Sequence, residues 1–254
     1  MRVTVLGCGT SGGVPRIGNQ WGACDPANPR NRRRRASILV EKGDTVLIVD
    51  TSPDLREQLL EAEVSRLDAV LYTHDHADHV HGIDDLRVLA YERRAPLEVY
   101  AERATLQGLK RRFDYAFGLA GNSLYPAIVS GREIDGPFTV GEIDVVPFEQ
   151  DHGDRTTLGF RFGAIAYSTD VVRLSEAAFA ALAGVEVWLV DALRYQPHPT
   201  HAHVDQALAW IARVAPERAV LTHMTAELDY ATLSAELPSG VEPAYDGLRI
   251  EVQD

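Results

Sequence analysis

Four side chains able to hold a metal ion, His74, His76, Asp78 and His79, crowd into six residues just after the apolar run Ala69-Val70-Leu71-Tyr72. A short apolar run closed by polar residues reads as a buried strand. The pattern returns along the chain. Ile165-Ala166-Tyr167-Ser168-Thr169 ends at Asp170, Ala219-Val220-Leu221-Thr222 ends at His223, and His152 follows Ile143-Asp144-Val145-Val146-Pro147-Phe148 after a short gap. A polar residue set repeatedly just past a strand implies a sheet whose strand ends open on one crevice, where loops gather functional groups.

Imidazole and carboxylate together suit zinc, manganese or iron, and donors packed this closely can surround more than one ion. The chain has nine histidines. His81 trails the first cluster, and His198, His201 and His203 stand together. An unmatched histidine is more often a satisfied structural group than a ligand, so His81, His198 and His203 are read as structural or supporting residues.

At 254 residues the chain can bury one large core, and a single domain over 1–254 is expected. Its 45% apolar and 24% charged content is ordinary for a globular protein. No run approaches the roughly 18 apolar residues of a membrane span, so no membrane partner is expected. The start, Met1-Arg2-Val3-Thr4-Val5-Leu6, enters a strand without the layout of a signal peptide. Cys8 and Cys24 form no disulfide framework, which fits a reducing, cytoplasmic setting. A net charge of −12 argues against a surface that grips nucleic acid, because phosphate binding needs broad positive charge. Arg30 and Arg32-Arg33-Arg34-Arg35 are the local exception. They read either as a solvated basic turn or as one or two arginines facing an anionic substrate.

Gly7-Cys8-Gly9-Thr10-Ser11-Gly12-Gly13 contains the letters of a dinucleotide fingerprint, but Val14-Pro15 and a long Gly/Pro/Asn-rich loop follow where a helix must open. A glycine loop that brings backbone close to a site is the reading kept. Ala36 to Glu41 and Thr45 to Val49 pair as a hairpin around Lys42-Gly43-Asp44. Asp50 is either a turn residue or a carboxylate that orients a ligand imidazole. Ser52-Pro53 predicts a helix through about Glu61. Further helices are expected over Ile83–Arg94, Ala104–Phe113, Ser175–Ala183, Val204–Val214 and Ala226–Leu237. Strands are expected at Leu97–Tyr100, Leu158–Phe162, Ala164–Ser168, Val185–Val190 (ending in Asp191), Ala219–Leu221 and Leu248–Val252. The irregular segment from Asp114 to Ser130 carries Tyr115, Phe117, Leu119, Leu124 and Tyr125, read mainly as packing residues. Strands early and helix–strand alternation late imply an α/β fold with sheets inside and helices outside.

His74-x-His76-x-Asp78-His79, followed by His152, Asp170 and His223, resembles the metallo-β-lactamase superfamily of binuclear hydrolases over essentially the whole chain. The resemblance implies an αββα sandwich of two mixed β-sheets flanked by helices, with two divalent transition-metal ions, zinc or manganese, at one edge. Within the superfamily the chain is similar to the branch of ribonuclease Z and the cyclic-phosphate phosphodiesterase (PhnP-like). Gly7-x-Gly9-Thr10 with Gly12-Gly13-Val14-Pro15, an aspartate at 170, and His201 ahead of Gln206-Ala207-Leu208 carry that likeness. The tail Leu237-Pro238-Ser239-Gly240 with Tyr245-Asp246-Gly247 is closest to the phosphodiesterase. That enzyme's cysteine-rich zinc loop is reduced here to Cys24 alone, so a structural zinc is not expected. Ribonuclease Z's long basic arm has no counterpart, so tRNA is not the expected substrate.

The resemblance assigns one ion to His74, His76 and His152 and the other to Asp78, His79 and His223, with Asp170 shared. A bridging hydroxide would attack phosphorus, Asp78 would help orient it, and His201 (or His203, two residues on) would act as the acid. The expected substrate is a small or cyclic, nucleotide-like or phosphoribosyl phosphodiester. Hydrolysis of a thioester or lactone on the same metals, tRNA 3′-end cleavage and a non-catalytic metal-binding module are the alternatives. The expectation leaves room for a homodimer.

Overall fold

The structure is a computed structural model and describes residues 1–118 and 125–252. Leu119 and Leu124 lie outside the described residues. The first sheet contains β1 (Arg2–Gly7), β2 (Ser37–Lys42), β3 (Thr45–Val49), β4 (Ala69–Leu71), β5 (Leu97–Ala101), β6 (Val129–Glu133) and β15 (Arg249–Glu251). Its order is β15-β1-β2-β3-β4-β5-β6. Pairing is antiparallel from β15 to β3 and parallel from β3 to β6.

The second sheet contains β7 (Phe138–Val140), β8 (Ile143–Asp151), β9 (Thr156–Phe162), β10 (Ile165–Ser168), β11 (Arg173–Leu174), β12 (Val187–Asp191), β13 (Arg218–Thr222) and β14 (Val241–Pro243). Its order is β11-β8-β9-β10-β12-β13-β14, with β7 added along β8. The last four strands of that order, β10, β12, β13 and β14, run parallel.

Period-two alternation explains why the strands read as continuous apolar runs. In β2, Ile38 and Val40 belong to the core between the sheets, while Leu39 belongs to the core under the outer helices. In β3, Leu47 and Val49 face inward and Ile48 outward; in β4, Ala69 and Leu71 face inward and Val70 outward. Both faces are therefore covered, as expected for strands flanked by a second sheet and by helices. Helices α1 (Leu55–Glu61), α3 (Arg87–Arg93) and α4 (Arg103–Arg112) contribute Leu55, Leu59, Ala90, Leu106 and Leu109 to the outer core of the first sheet. Helices α5 (Glu176–Leu182), α6 (Val204–Val214) and α7 (Tyr230–Glu236) place Leu182, Ala207, Ile211 and Leu233 with the second sheet. Each leucine or isoleucine so withdrawn from water contributes about 1.5–3 kcal/mol. The fold is the expected αββα arrangement.

Three helix boundaries differ from expectation, each for a local reason. Helix α1 starts at Leu55 rather than Pro53, because the Ser52 hydroxyl is used in a tight turn, accepting from Asp54 N at 3.0 Å and donating to Gln58 Oε1 at 2.9 Å. The 83–94 segment opens as a 3-10 turn, Ile83–Leu86, before α3 begins. Helix α7 starts at Tyr230 rather than Ala226, where Asp229 caps it through Thr232 N at 2.9 Å. The residues before it are held by Arg33, whose guanidinium donates to Thr225 O at 3.0 Å and Leu228 O at 2.6 Å.

Candidate metal centre

The cluster forms where strand ends of both sheets meet. Strand β4 delivers Thr73 and His74. The single turn α2 (Ala77–Val80) then turns Asp78 and His79 back toward them. The second sheet brings His152 just past β8, Asp170 just past β10 and His223 just past β13. Asp50, Asp170 and His223 all have left-handed backbones, with φ of 65°, 54° and 58°. An L-residue in this region costs on the order of 1–2 kcal/mol, and such strain collects where function demands a particular side-chain direction.

Asp170 is the hub. Its Oδ1 lies 3.8 Å from His74 Nε2, 3.6 Å from His152 Nε2 and 3.9 Å from His201 Nε2. Its Oδ2 faces the other way, 3.1 Å from His79 Nε2 and 3.4 Å from His223 Nε2. Asp78 Oδ2 sits 3.3 Å from His79 Nε2 and 3.9 Å from His223 Nε2. Donor atoms of His74, His76, His152 and Asp170 all lie within 4.8 Å of one another, and so do those of Asp78, His79 and His223. A third group, Asp170, His201 and His223, satisfies the same limit. The structure therefore gathers all seven residues of the sequence pattern, with His201 beside them.

The donor chemistry fits divalent cations. The buried Nε2 atoms of His74, His79 and His223 have no partner in hydrogen-bond geometry, although buried polar groups are normally paired. Electrostatics separates the two groups. Burial pushes His74, His76 and His152 below the ordinary imidazole range; His79 adds to this at His74, and Arg155 at His76. His79 and His223 go the other way. Burial opposes their charge, but Asp170 and neighbouring carboxylates outweigh it, taking His79 well above its usual value and His223 to about 9. Burial likewise disfavours ionised Asp170 and Asp78, yet the facing imidazoles hold both well below the carboxylate range.

The imidazoles are oriented from behind. His79 Nδ1 donates to Asp50 Oδ2 at 2.7 Å, and Thr73 holds the same carboxylate through its N–H and hydroxyl, each at 2.8 Å. Asp50 thus takes the orienting role among its two readings. His152 Nδ1 donates to Thr200 O at 2.7 Å, and Thr169 Oγ1 donates to Asp170 Oδ2 at 2.7 Å. Sequence reading missed Asp191. This fully buried carboxylate at the end of β12 accepts from His201 Nδ1 at 3.0 Å and from Val171 N at 3.0 Å, and lies 3.9 Å from His223 Nδ1. Its signal was present, since Asp191 closes an apolar strand just as Asp170 and His223 follow theirs.

Other candidates fall elsewhere. His203 takes the N-cap position of α6, His81 is exposed against the Phe113 ring, and His198 has its ring centroid 5.2 Å from that of His201. The arginine run is mostly structural. Arg33 is buried, Arg34 pairs with Glu61, Arg35 pairs with Asp54, and Arg30 stacks on Tyr230 and Tyr245. The glycine loop serves close packing: Gly9 N donates to Arg34 O at 2.7 Å, and Met224, next to His223, donates to Cys8 O at 2.9 Å. At the rim, the Asp75 carboxylate binds Arg155 through Oδ1 and Arg112 through Oδ2, both at 3.1 Å. A Cβ at Gly108 in α4 would overlap Asp75 Oδ2. Glycine there costs the helix roughly 0.5–1 kcal/mol relative to alanine.

Residues 45–224, which include all seven clustered residues, match the β-lactamase superfamily domain. An octanoyltransferase of Porphyromonas gingivalis is 35% identical over 265 residues, taking in 100% of this chain and 52% of that protein. The chain thus spans about half the length of that relative. A solved diphosphatase of the PhnP family is 34% identical with a TM-score of 0.92, covering 99% of this chain and 98% of its own. Zinc-bound PqqB of Methylobacterium extorquens shares the fold at 22% identity and a TM-score of 0.76, over 99% of this chain and 100% of its own. With matches of this extent lying over a cluster of this geometry, the chain belongs to the metallo-β-lactamase superfamily and, within it, to the PhnP family.

Proposed function

We propose that the chain, acting as one hydrolase domain over 1–254, is a binuclear metal-dependent phosphodiesterase acting on a small or cyclic phosphodiester. The observation that carries this reading is the Asp170 carboxylate, each oxygen of which faces a different imidazole group. His74, His76 and His152 would hold one divalent ion, zinc or manganese, and Asp78, His79 and His223 a second, with Asp170 common to both. When bound, such a pair supplies Lewis acidity toward phosphoryl oxygens and an activated water at neutral pH.

The chain's own residues supply the rest. Asp50 and the Thr200 carbonyl fix the tautomers of His79 and His152, leaving each Nε2 toward the cluster. Asp191 holds His201 Nδ1, so His201 Nε2 is the atom that hands a proton to the leaving oxygen. His201 keeps 11% of its side chain accessible, so its Nε2 can be reached from the open side of the cluster. An acyl-transfer reading gains no support from the site. The gathered side chains are imidazoles and carboxylates, while Cys8 and Cys24 are buried against Asp246 and Leu228 O. Two unpaired buried cysteines fit a reducing cytoplasmic compartment. Among the described residues, no helix is long and apolar enough to cross a membrane.

Metal-loaded protein should hydrolyse bis(p-nitrophenyl) phosphate in preference to a p-nitrophenyl thioester or a lactone. His201→Ala should lower phosphodiester turnover by about 10²–10⁴-fold with metal content unchanged. Preference for the thioester or lactone would overturn the substrate class, and loss of metal in H201A would remove the acid role.

A further inference from the structure

The loop between β12 and α6 brings one more histidine to the edge of the cluster. His198 stands three residues before His201 in Gln196-Pro197-His198-Pro199-Thr200-His201. Its ring centroid lies 5.2 Å from that of His201, with the planes 53° apart. His201 in turn meets the rings of His152 at 4.7 Å and His223 at 4.8 Å. Among the described residues, His201 is the only ring that His198 contacts. His198 is therefore the outward neighbour of the acid, and it is half-buried.

The loop is built to hold this ring. Prolines on both sides of His198 fix their φ angles. The Arg194 guanidinium donates to Gln196 O at 3.1 Å and to Pro197 O at 2.9 Å. Gly153, at φ 88° beside the ligand His152, leaves room that a Cβ would take from Thr200 Cγ2. The state of the ring follows from Thr200. Its N–H, which can only donate, reaches His198 Nδ1 at 3.3 Å, and its hydroxyl lies 3.2 Å from the same atom. Nδ1 is thus an acceptor, and the neutral ring carries its proton on Nε2. Burial, then His201 and Arg194, hold His198 below the ordinary imidazole range, so the ring is neutral at neutral pH. No protein acceptor meets the Nε2–H among the described residues. Bracing the loop needs only Nδ1, which leaves a donor of fixed tautomer beside the acid.

His201 Nε2 faces the cluster, 3.9 Å from Asp170 Oδ1. Two tilted imidazoles with centroids 5.2 Å apart can each direct a nitrogen to one atom about 3 Å away. We propose that His198 is a second catalytic residue at the departing oxygen: its Nε2–H donates a hydrogen bond to that oxygen as charge develops, while His201 Nε2 delivers the proton. This rests on the phosphodiesterase reading and adds a residue to it. The P–O bond breaks, its electron pair stays on the departing oxygen and takes the proton from His201, and His198 keeps its own proton throughout.

Hydrolysis of methyl phenyl phosphate and methyl p-nitrophenyl phosphate by the metal-loaded protein tests it, because the phenyl ester's departing oxygen bears more charge. His198→Asn places an amide oxygen where Nδ1 accepts from Thr200 but is too short to replace the Nε2 donor. It should lower kcat/KM for the phenyl ester about tenfold more than for the p-nitrophenyl ester, the scale of one hydrogen bond to a charged group, with metal content unchanged. His198→Gln, whose longer amide restores the donor, should recover most of that difference. Equal losses on both esters in H198N overturn the proposal, since His198 would then serve only to brace Thr200 and His152. No loss on either ester, loss of metal, or H198Q behaving as H198N overturns it too. Turnover of neither ester by the wild type sinks the phosphodiesterase reading and this role with it, whereas wild-type turnover with equal losses in H198N sinks this role alone.

Discussion

Asp246 offers a test of the fold that does not depend on metal. Its Oδ1 accepts from Cys8 N at 3.1 Å and its Oδ2 from Arg34 N at 2.7 Å, joining the glycine loop to the arginine run. Burial pushes its pKa from 3.8 to about 7, even though these hydrogen bonds and the Arg34 charge pull the other way. The folded protein therefore keeps this proton to higher pH than the unfolded chain does. The group's contribution to stability is full below pH 3.8 and is lost as pH rises through 7. Between about pH 5 and pH 8 the linked loss amounts to about 2–3 kcal/mol, at roughly 1.36 kcal/mol per pKa unit. Asp246→Asn cannot titrate and should lack that component. Urea unfolding at both pH values, followed by far-UV circular dichroism with a chelator present, measures it. If D246N loses as much stability as the wild type over this interval, the carboxyl is not held protonated and the argument fails.

Other expectations concern the centre. Asp191→Asn should cut phosphodiester turnover by at least about tenfold while retaining metal, because His201 loses the carboxylate that holds its Nδ1 and aims its Nε2; unchanged kcat would assign Asp191 to folding alone. Asp50→Asn should weaken metal affinity by about 10–100-fold, the usual cost of losing a carboxylate behind a ligand imidazole, as read by competition with a fluorescent chelator. The proton on His223, with its pKa raised to about 9, competes with a metal ion. Affinity at the Asp78, His79 and His223 group should thus rise as pH approaches 9, whereas the low-pKa group of His74, His76 and His152 should show little change above neutrality. Two binding steps with the same pH slope would contradict that division.

The parts of the molecule legible in the sequence are those governed by local pattern. The apolar runs before His74, Asp170 and His223 are strands, Val204–Val214 is the observed α6, and Ser175 caps α5 as expected. What escaped depends on contacts between distant segments. Ala226 to Asp229 has helical composition, but Thr225 O and Leu228 O are bound by Arg33, 192 and 195 residues away in sequence. Strand β14 is three residues long and ends in Pro243, a pattern too short to register. The Arg112–Asp75–Arg155 rim joins three segments, and nothing in any one of them signals the others. From sequence the arginine run reads either as a solvated basic turn or as one or two arginines facing an anionic substrate. Only the tertiary fold reveals that Arg33 lies inside, on backbone oxygens and Asn31.

The left-handed turns at Asp50, Asp170 and His223 set chemistry and stability against each other. Glycine would adopt the same backbone at little steric cost, but at position 50 it would leave Thr73 N, Thr73 Oγ1 and His79 Nδ1 buried without their acceptor, and at position 170 it would strip Thr169 Oγ1 of its own. The strain at positions 50 and 170 therefore cannot be relieved by glycine without dismantling the hydrogen bonds that orient the ligands from behind.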